Sequence, residues 1–70
     1  MDVRWYRVYF RTRRSGHTRQ RRWNPWQLSM QTDDRLQAVY REGWHLAQGH
    51  QVRLEEVSAE EAMRLANSRT

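Results

Sequence analysis

Trp5, Arg7, Tyr9, Arg11 and Arg13 stand at every second position and interleave rings with guanidinium groups. On an extended segment such residues share one face. The two residue types do complementary chemistry. A guanidinium is a planar donor fork that matches phosphate oxygens and guanine edges and stacks on aromatic rings. A ring offers a π face on which an unpaired base can lie. The following stretch, "RRSGHTRQRRW", adds Arg14, Arg19, Arg21 and Arg22 and ends on Trp23. The candidate binding set for nucleic acid or a partner is therefore Trp5, Arg7, Tyr9, Arg11, Arg13, Arg14, Arg19, Arg21, Arg22 and Trp23. Two other readings use the same residues. Trp, Tyr and Arg also anchor protein interfaces, and a solvent-facing sheet can use arginine stems to cover its own rings.

The distribution of charge favours a functional reading. Residues 1–22 hold eight Arg against one acid, and residues 23–70 hold five Arg against seven acids. All thirteen basic residues are arginine. Codon usage could explain arginine in place of lysine, but it does not separate the signs along the chain.

The remaining reactive side chains point away from catalysis. There is no cysteine, so disulfides and thiolate metal sites are excluded. His45 and His50 are five apart, without companion ligands and across an expected turn, whereas a zinc site needs three or four ligands. His17 stands alone. His50 with Glu55 or Glu56 is an unspecific acid–base pair. Asp33 and Asp34, and Glu60 and Glu61, are accounted for by helix N-termini, where the dipole favours acids. No glycine-rich phosphate loop, P-loop or nucleophile elbow is present. The expectation is a non-enzymatic protein with no metal and no cofactor.

The elements that must position these residues follow from local patterns. Residues 3–12 are rich in aromatic and β-branched types and read as a strand, with Tyr6, Val8 and Phe10 on its apolar face. Residues 14–20 read as a turn around Ser15-Gly16, with a second strand at about 18–23 broken by Asn24-Pro25. Trp23 and Trp26 then clamp the turn. A third strand over 26–30 would put Trp26, Leu28 and Met30 on one side, with Trp26 inward. A helix over 32–42 would have Thr32 as N-cap and Leu36, Val39 and Tyr40 as its apolar stripe. It would end at Gly43 as the left-handed C′ residue, with Trp44 at C″ on Val39. Gln48-Gly49 suggests a turn, and residues 51–56 a strand. Ser58-Ala59-Glu60-Glu61 is a capping box that opens a second helix over 59–67, with Ala62, Leu65 and Ala66 inward. The order is β-β-β-α-β-α. The class is α+β, a small antiparallel sheet with two helices packed on one face.

Seventy residues make a single domain, 1–70, with a thin core. Support must come from the eight aromatic residues, each of which can bury a large area, or from self-association into a homodimer. Low hydrophobic content raises disorder, against which the periodic patterns argue. No run approaches the roughly 20 apolar residues of a membrane helix. "MDVRWYRVYF" alternates and does not resemble a leader. A cytoplasmic protein with no membrane partner is the expectation.

Three pattern-level resemblances bear on function. The Arg/aromatic strands followed by "MQTDDRLQAVYREGW" resemble the arm-binding domains of phage integrases and other AP2-like DNA binders, which lay a three-stranded sheet on DNA. Small size, absence of cysteine and the strand–helix–strand build resemble small phage-encoded inhibitors, including type I anti-CRISPR proteins. That likeness implies a protein contact that blocks a host nucleic-acid-handling complex. "LQAVYREGWHLAQGHQVRL" is similar to part of the HicA-like mRNA interferase toxins, with Gly43-Trp44 and Gly49-His50 matching and the expected serine missing. A small phage or mobile-element protein that engages DNA or RNA is the leading expectation.

Overall fold

The computed structural model describes residues 3–14 and 23–68, with side chains up to Leu65. The elements are β1 (Arg4–Arg11), β2 (Gln27–Thr32), α1 (Arg35–Ala47), β3 (Gln51–Ser58) and α2 (Ala59–Ser68). β1 is the central strand of an antiparallel sheet in the order β2-β1-β3. The α+β class is as expected from the sequence. Among the described residues the order is β-β-α-β-α. The turn at 14–20 and the extra strand at about 18–23 lie largely outside them.

β1 pairs with β3 in unbroken register from Arg4↔Ser58 to Arg11↔Gln51, so its side chains alternate strictly. Its pairing with β2 shifts between Val8 and Tyr9: Val8 faces Met30, and Tyr9 faces Leu28. Ser29 is thus the extra residue of a β-bulge. The bulge moves Met30 to the face opposite Leu28. The expected row of Trp26, Leu28 and Met30 is therefore split.

The two helices take opposite faces of the sheet instead of sharing one. Phe10 stacks on His45 of α1, with centroids 4.3 Å apart. On the other face Arg7 donates from Nη2 to the Glu61 carbonyl of α2 at 3.1 Å. Gln31, opposite Arg7 in register, donates to the Ala62 carbonyl at 3.1 Å. The buried apolar side chains divide accordingly, with Val8 of β1 and Ala38 of α1 on one face and Val57 of β3 and Ala62 of α2 on the other.

α1 differs from its expected form at both ends and in its orientation. Its N-cap is Asp34, whose side chain accepts from the Leu36 amide at 2.9 Å. Thr32 lies two residues earlier and accepts from the Asp34 amide. The helix runs through Gly43, and its left-handed C′ residue is Gly49 at φ +82°. The carbonyls of Leu46 and His45 accept from the amides of Gly49 and His50 at 3.0 and 3.1 Å. These two bonds are the Schellman pair expected at Gly43, formed six residues later. The face against the sheet is Ala38 and His45. Leu36, Val39, Tyr40 and Trp44 are exposed, so the apolar stripe points to solvent. Ala38 and Val8 are both fully buried, and a side chain as small as alanine leaves room for a close approach of helix to sheet.

β3 and α2 form where the sequence places them; of the expected inward residues of α2, Ala62 is buried and Leu65 half-buried, and the Ala66 side chain lies outside the described residues. β3 extends two residues past the expected end, and the Ser58 hydroxyl accepts from the Glu61 amide at 3.1 Å, one half of the capping box. No helix among the described residues is long and apolar enough to cross a membrane.

Candidate nucleic-acid interface

The odd-numbered face of β1 is divided in two by α2. At one end Trp5 stands opposite Val57 in register. Arg7 is buried at 9% exposure. Its Nε donates to Gln31 Oε1 at 2.8 Å, and its Nη2 goes to the α2 backbone. A buried guanidinium with two of its donors used inside the fold is a strut, and it ties sheet to helix.

The other end of the face is built differently. The Arg11 guanidinium lies over the Trp26 ring at 4.6 Å and over the Trp23 ring at 5.6 Å. The Arg53 guanidinium lies over Tyr9 at 5.1 Å and over Trp26 at 5.4 Å. Two cations and three rings therefore form one continuous layer, with Trp26 shared. The three rings are half-buried. Arg11 is further oriented by its Nε, which donates to Gln51 Oε1.

The local chain explains why Trp23 and Trp26 reach this layer. Asn24 is clamped to Thr12 twice, from its backbone amide to the carbonyl at 2.9 Å and from Nδ2 to the hydroxyl at 2.7 Å. An isolated bridge joins Arg13 to Trp23 just beyond. "WNPW" thus returns the chain beside β1 and starts β2. Trp26 was expected to turn inward. It lies instead on the odd face, in phase with Leu28 and Arg11, because the bulge comes later.

Charge is left available at this end. Arg53 pairs with Glu55 at 2.9 Å, and both side chains are substantially exposed. Among the described residues no carboxylate pairs with Arg11, Arg13 or Arg14, and the last two are exposed. Arg19, Arg21 and Arg22 lie outside the described residues.

Of the expected set, the fold brings Tyr9, Arg11, Arg13 and Trp23 together, with Arg14 adjacent in the chain. It separates Trp5 and Arg7 from them. Arg53 and Trp26 complete the layer and were not in the set. The signal for Arg53 was present: Val52 and Leu54 point to the apolar side, so Arg53 must share a face with the odd residues of β1.

On the opposite side of the sheet a polar chain runs under α1. Ser29 Oγ lies 2.6 Å from His45 Nε2, and His45 Nδ1 lies 2.9 Å from His50 Nδ1. His45 is 3% exposed and sits between Phe10 and Trp44. Burial lowers its pKa below the usual 6.5, with further lowering from His50 and Arg41. Each contact uses one proton if both imidazoles are neutral. His45 and His50 are also the C3 and C″ residues of the α1 terminus, so their contact closes the helix end. No group of three metal-ligating side chains occurs among the described residues.

Comparison with protein-family models, with curated proteins and with solved structures returned no match.

Proposed function

We propose that the chain is a non-enzymatic nucleic-acid-binding module that holds a single strand, DNA or RNA, on the open half of its odd sheet face. The observation that carries this reading is the Arg11/Arg53 layer over Tyr9, Trp23 and Trp26. A guanidinium held against a ring still has N–H donors beyond the one each uses here, Arg11 on Gln51 and Arg53 on Glu55, and these can meet phosphate oxygens. The rings supply stacking surface that tolerates any base. Trp23, beside Arg13 at the rim, is the ring we assign to base stacking, and Trp26 holds the two arginines in position. Arg13 and Arg14 extend the cationic track, and Arg19, Arg21 and Arg22 add charge to the same end of the sequence.

Titration of a fluorescent 12-nucleotide single strand by anisotropy tests this. Binding at low salt should weaken steeply as salt rises. For about four to six neutralised phosphates the slope of log K against log salt is roughly −3 to −4. Trp23→Ala should cost about 1–3 kcal/mol of binding, and Arg13→Gln with Arg14→Gln should flatten the slope by roughly 1.5 units. Absence of binding at 50 mM salt would remove the proposal.

A further inference from the structure

The outer face of α1 leaves an unexplained feature. Leu36 is 80% exposed, Tyr40 78%, Leu46 57%, Trp44 48% and Val39 45%. Leu36, Tyr40 and Trp44 follow one another at i, i+4 and i+8, and they form a single stripe along the helix. With Met30, Gln37 and Arg41 they line an open groove of about 540 Å³. Solvent does not favour such a row, and large contiguous apolar patches mark interaction sites.

Gly43 lies on the same outer face, one turn from Tyr40 and Ala47. An exposed glycine within a helix costs about 1 kcal/mol relative to alanine. Nothing among the described residues requires it. Its φ is not positive, and a Cβ there would meet no atom within 4 Å. A gap of this kind beside large apolar side chains suits the close crossing of a second helix backbone.

From this face we infer that α1 packs antiparallel against α1 of a second copy of this chain, crossing at Gly43 about a two-fold axis. Three observations select a second copy. First, a two-fold contact uses each patch twice, so an apolar stripe meets an apolar stripe. Second, two aromatic rings, each bringing on the order of 100–200 Å², together with Leu36, Val39 and Met30, approach the roughly 800 Å² per partner of a stable interface. Third, the stripe is uncharged in a chain of net charge +5, so two copies can meet there without opposing their arginines, and nucleic acid gains no cation from it except Arg41 at the rim. The need is also visible inside the protein. Among the described residues only Val8, Ala38, Val57 and Ala62 are buried apolar side chains, and a core that small commonly relies on association. The inference is independent of the nucleic-acid reading, because the arginine layer lies on the other side of the sheet.

Sedimentation equilibrium of the full chain, from about 1 to 300 µM, tests the proposal. A mass twice the 8.7 kDa of one chain is expected, with a concentration-dependent return to one chain on dilution. Tyr40→Glu, at a side chain already in solvent, should leave the circular dichroism unchanged and abolish the dimer. Gly43→Ala separates a packing role from a folding role. On the Tyr40→Glu background it should raise the melting temperature by about 4–8 °C. In the otherwise unaltered chain it should weaken the dimer about tenfold or more. A single-chain mass at every concentration, or a dimer indifferent to Tyr40→Glu, would overturn the inference. A Gly43→Ala dimer as tight as the original would overturn the crossing at Gly43.

Discussion

Trp26 is the shared ring of the arginine layer, and its removal has a calculable effect. Trp26→Leu keeps an apolar side chain but takes the ring from beneath Arg11 and Arg53, which lie 4.6 and 5.4 Å from its centroid. Each contact at a partly exposed site is worth about 0.5–1 kcal/mol. The lost ring area of a half-buried tryptophan adds about another 1 kcal/mol. The expected cost is therefore about 2–3 kcal/mol, or a melting temperature lower by roughly 10–20 °C for a chain of this size. A double-mutant cycle isolates the ring–cation part. Arg11→Met keeps the aliphatic stem and removes the charge. Trp26→Leu, Arg11→Met and the double variant are followed by urea denaturation with circular dichroism at one low protein concentration, because association adds to apparent stability. The coupling energy should be about 0.5–1 kcal/mol. A coupling under about 0.3 kcal/mol, the range in which independent sites simply add, would refute the reasoning.

Other outcomes follow from the same structure. His45 is buried with its pKa lowered, so the unfolded chain takes up the proton first. The folded state's advantage is complete above about pH 6.5 and is lost as pH falls through the lower folded value. Urea midpoints between pH 7.5 and 5 should fall more for the original chain than for His45→Gln, and equal slopes would contradict the assignment. Arg7→Met should lose the bonds to Gln31 and the Glu61 carbonyl. Its cost is about 2–3 kcal/mol in thermal or urea unfolding, while affinity for a single strand stays within about twofold, because Arg7 is spent inside the fold. Gly49→Ala, at φ +82°, should destabilise by about 1–2 kcal/mol, whereas Gly43→Ala should stabilise the isolated chain. A stable Gly49→Ala protein would mean that α1 ends elsewhere.

The parts of the fold legible in the sequence are those fixed by local chemistry. The alternation of β1 gave its two faces directly, and Ser58 with Glu61 marked the start of α2. The errors arose where a local signal had two equivalent solutions. Gly43-Trp44 and Gly49-His50 both offer a left-handed residue followed by a ring. The second wins because His45, the C3 residue, is then buried against Phe10 and Ser29 and meets His50. Periodicity placed Leu36, Val39 and Tyr40 on one stripe of α1. Periodicity locates a stripe but does not say which side the sheet lies on, and Ala38 with His45 allows a closer approach. The bulge at Ser29 leaves no mark in composition, so the split between Leu28 and Met30 could not be seen. For the candidate site, the Arg/aromatic face was legible and its division by α2 was not. That division depends on the long-range bonds from Arg7 and Gln31 to the α2 backbone.

The most direct measurement is a residue-resolved map of where a nucleic-acid strand lands. Nitrogen-15-labelled protein is titrated with a short single-stranded oligonucleotide at low salt. The indole signals of Trp23 and Trp26 and the guanidinium Nε signals of Arg11 and Arg53 should shift together and saturate, while the amides of Leu36, Tyr40 and Trp44 on α1 stay in place. Shifts confined to the α1 face, or none at saturating oligonucleotide, would contradict binding through the arginine layer.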